Sequence, residues 1–252
     1  MKLTGNTALI TGGGTGIGRA LAVALHRSGN RVVITGRRPG PLRAVADAHP
    51  GIEWHPLDVA DPESIRRLAL TVQRRWPDLD VLISNAGVMT LDGDGTSDPA
   101  LAAAVVATNL VGPIMLTSAL LPILRDHPDS TIVNITSALA FVPLAAAAAY
   151  CASKAGLHSY TESLRIMLQP DRIQVIEIAP PRVRTDMDGP VGADSMTADD
   201  FVAEVLEALS AQPQTGEVVV DAARAVRFAE RDGRYDQMLT AVNTPARTED
   251  AQ

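Results

Sequence analysis

The chain has very little lysine. Of its 22 basic residues only Lys2 and Lys154 are lysines, and every other positive charge is an arginine. It has one cysteine, Cys151, which excludes an internal disulfide and with it a disulfide-dependent secreted scaffold. It has no surplus of positive charge: the net charge is -7, and the arginines are scattered among acidic residues, so no basic stripe for nucleic acid is expected. "MKLTGNTALITGGG" lacks a long apolar stretch, and "LVGPIMLTSALLPIL" is interrupted by Gly, Pro, Thr and Ser. Neither a signal peptide nor a membrane span is therefore expected. The five histidines, His26, His49, His55, His127 and His158, show no ligand spacing, so no metal is assigned. Together these absences point to a protein of the reducing cytoplasm with no nucleic-acid or membrane partner.

What the chain does have is alternation. Short apolar runs suited to buried strands recur as "TALIT" from Thr7, "RVVIT" from Arg31, "GIEWH" from Gly51, "DVLIS" from Asp80, "TIVNIT" from Thr131, "IQVIEIA" from Ile173 and "EVVVD" from Glu217. Between them lie helical patterns such as "DPESIRRLALTVQRRW", where an Asp cap and a Pro at the first helical position precede an apolar stripe. The expected fold is a single α/β domain over residues 1–252, a doubly wound seven-stranded parallel sheet with helices on both faces. Thr185 to Asp200 carries five aspartates with Gly and Pro between them, and it reads as a substrate-side loop whose two methionines could close over an apolar ligand. "DAARAVRFAERDG" from Asp221 reads as one more helix, followed by a loose tail in "ARTEDAQ".

Ligands of such sheets bind outside the carboxyl ends of the strands, so the residues there carry the argument. The first strand runs into "TGGGTGIG", whose Gly12, Gly16 and Gly18 suit a strand-to-helix turn that lets backbone approach a pyrophosphate at a helix N-terminus. The second ends in Gly36, Arg37 and Arg38 where a ribose-binding carboxylate would favour NAD; two guanidiniums suit a 2′-phosphate instead. Asp58 and Val59 follow the third strand, "SNAG" (Asn85, Ala86 and Gly87 after Ser84) the fourth, Ser137 the fifth and "PPRVRT" the sixth. Lys154 falls one helical turn beyond Tyr150, where an ammonium favours phenolate and shifts a phenol of ordinary pKa about 10 toward neutral pH.

The glycine turn, "SNAG", Asn109 in "TNLVGP", Ser137 and the Tyr150–Lys154 pair stand in the order and spacing of the short-chain dehydrogenases/reductases, and the chain resembles the branch of about 250 residues. "SALAFVPLAAAAAYCASKAGLHSYTESLR" and "EIAPPRV" are similar to bacterial oxidoreductases associated with D-alanylation of teichoic acids. The resemblance implies a Rossmann fold and hydride transfer between NADP(H) and a small carbonyl or secondary alcohol. It implies Tyr150 as general acid/base, Ser137 polarising the carbonyl, Lys154 also holding the nicotinamide ribose, and Asn109 ordering a water that relays protons. It carries the cofactor onto Gly12, Gly14, Thr15, Gly16, Ile17 and Gly18, then Arg37, Arg38, Asp58 and Val59. Beyond these lie Asn85, Ala86, Gly87, Tyr150, Lys154, Pro180, Val183 and Thr185. It also implies a homodimer or homotetramer paired through the segments Pro99 to Arg125 and Ala149 to Gln169. Two departures stand out: Pro181 replaces the usual glycine after Pro180, and the usual Asp-Gly-Gly near the C-terminus is absent.

Two other functions share parts of this pattern. A dinucleotide-binding sensor or scaffold would use the glycine turn but would have no need of a proton donor. A nucleotide-sugar epimerase or dehydratase also uses Tyr-x-x-x-Lys, but such chains resemble ones of about 300 residues or more with another glycine spacing.

Overall fold

The computed structural model describes residues 1–92, 96, 98–185 and 195–244. Six parallel strands succeed one another with helices between: β1 (Thr7–Thr11), β2 (Arg31–Gly36), β3 (Ile52–Pro56), β4 (Val81–Ser84), β5 (Thr131–Ile135) and β6 (Gln174–Ile178). Two short strands, β7 (Val183–Arg184) and β8 (Met196–Thr197), pair with each other outside the main sheet, and β9 (Glu217–Val218) completes it. The order β3-β2-β1-β4-β5-β6-β9 confirms the expected seven-stranded, doubly wound Rossmann architecture. Its order reverses between β1 and β4, which opens a crevice above that pair.

Both faces of the sheet are covered, which is why its strands read as continuous Val/Ile/Leu runs. One core layer is filled from α1 (Gly16–Arg27), α2 (Pro39–Ala48) and α7 (Ala198–Ala211), with Leu21, Leu42 and Phe201 against Ile10, Ile34 and Ile176. The other is filled from α3 (Pro62–Arg75), α5 (Gly112–Arg125) and α6 (Ala148–Met167), with Leu68, Leu120 and Leu164 against Leu9, Leu82 and Val175. α3 begins as the sequence suggests, with the Asp61 carboxylate accepting from Glu63 N at 2.9 Å ahead of Pro62.

α4 (Pro99–Val106) runs into α5 through a π turn at Ala107–Val111. By length and composition the resulting helix, Pro99–Arg125, is apolar enough to cross a membrane; in this fold Leu116, Leu120 and Leu124 pack on the sheet, while Leu101 and Val111 are exposed.

Two expectations are corrected. The loop expected over Thr185 to Asp200 ends early: Met196 pairs with Val183, and α7 starts at Ala198 because the Thr197 hydroxyl accepts from Asp200 N at 3.1 Å and bonds the Asp200 carboxylate at 2.6 Å. The acidic composition masked this Thr-x-x-Asp cap. Met196, partly buried, packs against the core beside α7; Met187 and the rest of the expected lid, 186–194, lie outside the described residues, as does the tail from 245. The helix expected over Asp221 to Gly233 ends early, at Arg227 (α8, Asp221–Arg227), and a further helix that was not expected, α9 (Tyr235–Asn243), follows a turn in which Gly233 takes φ +68°.

Candidate active site

The crevice is built by β1 and β4 together. Thr11, the last residue of β1, accepts from both Asn85 N and Ala86 N through its hydroxyl at 2.9 Å. Asn85 returns the contact, its side-chain amide donating to Thr11 O at 2.9 Å. These bonds stitch the glycine turn to the "SNAG" turn, and they explain the glycines. A Cβ on Gly12, whose φ is +68°, would meet the Asn85 amide at 2.9 Å and Ala86 Cα at 3.0 Å; one on Gly18 would meet Gly12 O at 2.4 Å. The turn delivers the chain into α1, whose first turn carries no acidic residue and no side-chain cap, so its leading N–H groups face the crevice as an anion cradle.

Two cavities meet over this turn and share Gly12, Thr15, Ala86 and Gly87 as a common wall. The smaller, of about 140 Å³, runs past Gly14, Gly36 and Val59 to Arg37 and Arg38. Both guanidiniums are exposed, and no acidic side chain pairs with them among the described residues. Asp58, expected at the cofactor, instead lines a separate cavity on the other side of Arg37, and its carboxylate accepts from Ala60 N at 3.0 Å. The larger cavity, of about 690 Å³, extends from Gly16 and Ile17 past Ser137, Tyr150 and Lys154. Its far wall is Pro180, Val183 and Thr185, and its outer part is apolar, with Met89, Leu139, Leu144, Val226 and Val242. Pro181, the departure noted in the sequence, lies in the same wall, where Pro180 O accepts from Ala138 N at 2.8 Å.

Tyr150 and Lys154 are buried on one face of α6, with the ammonium 5.8 Å from the centre of the phenol ring. Lys154 Nζ donates to Ile135 O at 2.8 Å, which anchors α6 to the end of β5 two residues before Ser137. Burial pushes the ammonium down to about 8, and among the described residues no carboxylate compensates for the lost water. Ser137, 7% exposed, is held in extended backbone between two main-chain bonds, Thr136 N to Ile178 O at 2.9 Å and Ala138 N to Pro180 O at 2.8 Å. Its hydroxyl accepts from Leu139 N at 3.1 Å.

Asn109 is brought beneath the same site by the π turn, fully buried. Its side chain clamps Val88, accepting from Val88 N at 2.8 Å and donating to Val88 O at 2.9 Å, and it also donates to Ser153 Oγ at 3.0 Å. That amide thus holds the "SNAG" turn in place beside Lys154. Apart from Asp58, the residues expected at the site fall on one continuous groove or directly under it. Sequence reasoning missed Thr11, Ser153 and the Ile135 carbonyl, which fix the others; their only signal is position at strand ends and helix spacing.

The protein belongs to the short-chain dehydrogenase family, whose model matches residues 6–195. It is similar to DltE, an uncharacterized oxidoreductase of Bacillus subtilis, at 35% identity over 97% of this chain and 99% of that one. Among solved structures it is similar to a short chain dehydrogenase from Burkholderia cenocepacia in complex with NADP, at 29% identity over 96% and 98% of the two chains, TM-score 0.81. A 3-ketoacyl-(acyl-carrier-protein) reductase from Brucella melitensis complexed with NADH is similar at 25% identity over 89% and 100%, TM-score 0.81. The chain is therefore an oxidoreductase of this family.

Proposed function

We propose that this protein transfers a hydride between NADP(H) and a small carbonyl or secondary alcohol, with Tyr150 as general acid in reduction and general base in oxidation. The observation that carries the reading is the convergence of a buried tyrosine, its lysine and a serine hydroxyl on the cavity that continues from the glycine turn. The residues fit the cofactor. Gly12 and Gly18 leave room that a Cβ would fill, α1 offers uncapped N–H groups to a pyrophosphate, and Arg37 with Arg38 offers charge to a 2′-phosphate. The complex of a relative with NADP supports the same choice, while Gly36 in place of a carboxylate removes the feature that would select NAD.

When bound, the nicotinamide supplies or accepts the hydride. The chain's own residues handle the proton and the developing charge. Reduction leaves an alkoxide, and the Tyr150 hydroxyl gives it a proton while the Ser137 hydroxyl donates to the same oxygen. The Lys154 ammonium stabilises negative charge left on the phenol oxygen; one N–H is committed to Ile135 O, and its other donors suit a ribose hydroxyl. The apolar outer wall keeps water from the reacting carbon and suits an uncharged substituent.

Self-association is part of the proposal. Leu101, Val111, Ile166 and Met167 are exposed on the two long helices, a pattern that suits a homodimer or homotetramer in the cytoplasm. A panel of ketones, aldehydes and alcohols followed by NADPH absorbance tests the activity; no turnover with any member, by a protein that binds NADPH, would favour a sensor instead. Light scattering tests the assembly, and a monomer at micromolar concentration would reject it.

A further inference from the structure

Below Lys154 the catalytic helix makes a second attachment that the proposed chemistry does not use. His158 stands one further turn along the face that carries Tyr150 and Lys154. Its Nδ1 lies 2.8 Å from Glu177 Oε2, and Glu177, on β6, is 1% exposed. The other oxygen of that carboxylate accepts from Thr136 Oγ1 at 2.7 Å, and Thr136 is the residue before Ser137. On its other side the His158 ring packs edge-on against Phe141, with centroids 4.7 Å apart. Phe141 closes the short turn that begins at Ser137, donating its N–H to Ala138 O at 3.1 Å. One imidazole thus touches one flank of the serine segment at Phe141 and reaches the other, Thr136, through the Glu177 carboxylate.

The charges around it are few. Glu162 lies 3.6 Å away on the same helix, and the Arg227 guanidinium sits 4.0 Å over the far face of Phe141 while pairing with Glu217 of β9, the register partner of Glu177. The hydrogen bond to Glu177 raises the His158 pKa above its ordinary value, against the effect of partial burial; the charges of Glu177 and Glu162 add to the rise and Arg227 opposes it. A buried, half-ionic pair of this kind adds less stability than its geometry suggests, because both groups lose water. Its value lies in fixing one arrangement.

We propose that His158 is a positioning residue that sets the Ser137 hydroxyl against the Tyr150 phenol by holding the serine segment directly at Phe141 and through Glu177 at Thr136. The inference rests on the reading of Ser137 and Tyr150 as the pair that meets the substrate oxygen. Because the imidazole rides on the helix of Tyr150 and holds the strand end of Ser137, it ties the two donors to a single frame.

The test compares His158→Leu with His158→Asn, since an asparagine amide can take the place of Nδ1–H toward Glu177. His158→Leu should lower kcat by about 10-fold to 100-fold, as expected for a donor displaced by roughly 1 Å. NADPH affinity should stay within about twofold, because the glycine turn is untouched, and His158→Asn should recover most of the lost kcat. Leucine leaves the Glu177 carboxylate buried beside Thr136 alone, so the double variant His158→Leu/Glu177→Gln guards against a fold defect; it should melt near the parent and still turn over slowly. Turnover within twofold of the parent in the leucine variants, or equal loss in leucine and asparagine variants that fold, would overturn the inference. Hydrogen exchange at Leu139 and Phe141 separates it from the assigned activity. Faster exchange in His158→Leu is expected whether or not a substrate is found, and unchanged exchange overturns the positioning role. A parent with no turnover but this exchange response would sink the activity and leave the positioning role standing.

Discussion

Lys154→Met isolates what the buried ammonium costs the fold. The lysine is 4% exposed, its one hydrogen bond among the described residues is to Ile135 O, and burial lowers its pKa from an ordinary 10.5 to about 8. A drop of that size corresponds to roughly 3 kcal/mol of penalty on the charged form. Below pH 8 both the native and unfolded chains hold the proton, so the native state carries the whole penalty. Between about 8 and 10.5 the unfolded chain binds more protons than the native one, and the contribution of this group to stability rises with pH. Methionine fills the same space, removes the penalty, and loses a charged hydrogen bond worth about 1.5 to 3 kcal/mol. The two terms nearly offset at neutral pH, so parent and variant should be of similar stability there. By pH 10 the parent should have gained about 2 to 3 kcal/mol relative to the variant. Urea unfolding of both proteins without cofactor at pH 7, 8.5 and 10, each in a Tyr150→Phe background so that the neighbouring phenol does not titrate, reads this directly, and groups remote from Lys154 cancel in the difference. Parallel pH dependences would refute the burial argument.

The remaining expectations are simpler. Gly18→Ala places a methyl 2.4 Å from Gly12 O, so the turn must open; NADPH affinity should fall by about tenfold or more in a fluorescence titration, and an unaffected affinity would disprove the close approach. Arg37→Ala should cut the NADPH-over-NADH preference by about 10-fold while barely changing NADH binding, because a bond to a charged phosphate is worth about 1.5 to 3 kcal/mol; an unchanged ratio would make the arginine a solvated corner. Thr197→Ala should cost about 1 kcal/mol through the lost cap of α7, measured by thermal unfolding, and no loss would return that segment to an irregular loop.

How far the fold could be read in advance depends on the range of the contacts. All seven strands of the main sheet start within two residues of the apolar runs quoted from the sequence, because a strand buried on both faces leaves a local apolar signal. The Tyr150–Lys154 spacing was legible for the same reason, since one helical turn sets it. The braces were not. Thr11 meets Asn85 across 74 residues, Asn109 meets Val88 across 21, and His158 meets Glu177 across 19, and each requires the register of strands and helices to be known. The polar row of Ser84, Asn134 and Glu177 across β4, β5 and β6 is likewise a product of register alone. Where composition outweighed spacing the reading failed, as at the acidic residues that belong to the first turn of α7.

The central claim is that the groove moves a hydride with Tyr150 supplying the proton, and one labelling measurement tests both halves. The protein is supplied with NADPH carrying deuterium at both C4 positions and with the best ketone of the panel, and the alcohol is analysed by mass spectrometry. One deuterium is expected on the carbinol carbon with the parent, and a rate about 10²-fold to 10⁴-fold lower with Tyr150→Phe, whose NADPH affinity is retained. Label arriving at a similar rate with Tyr150→Phe, or product formed by the parent without label, would contradict it.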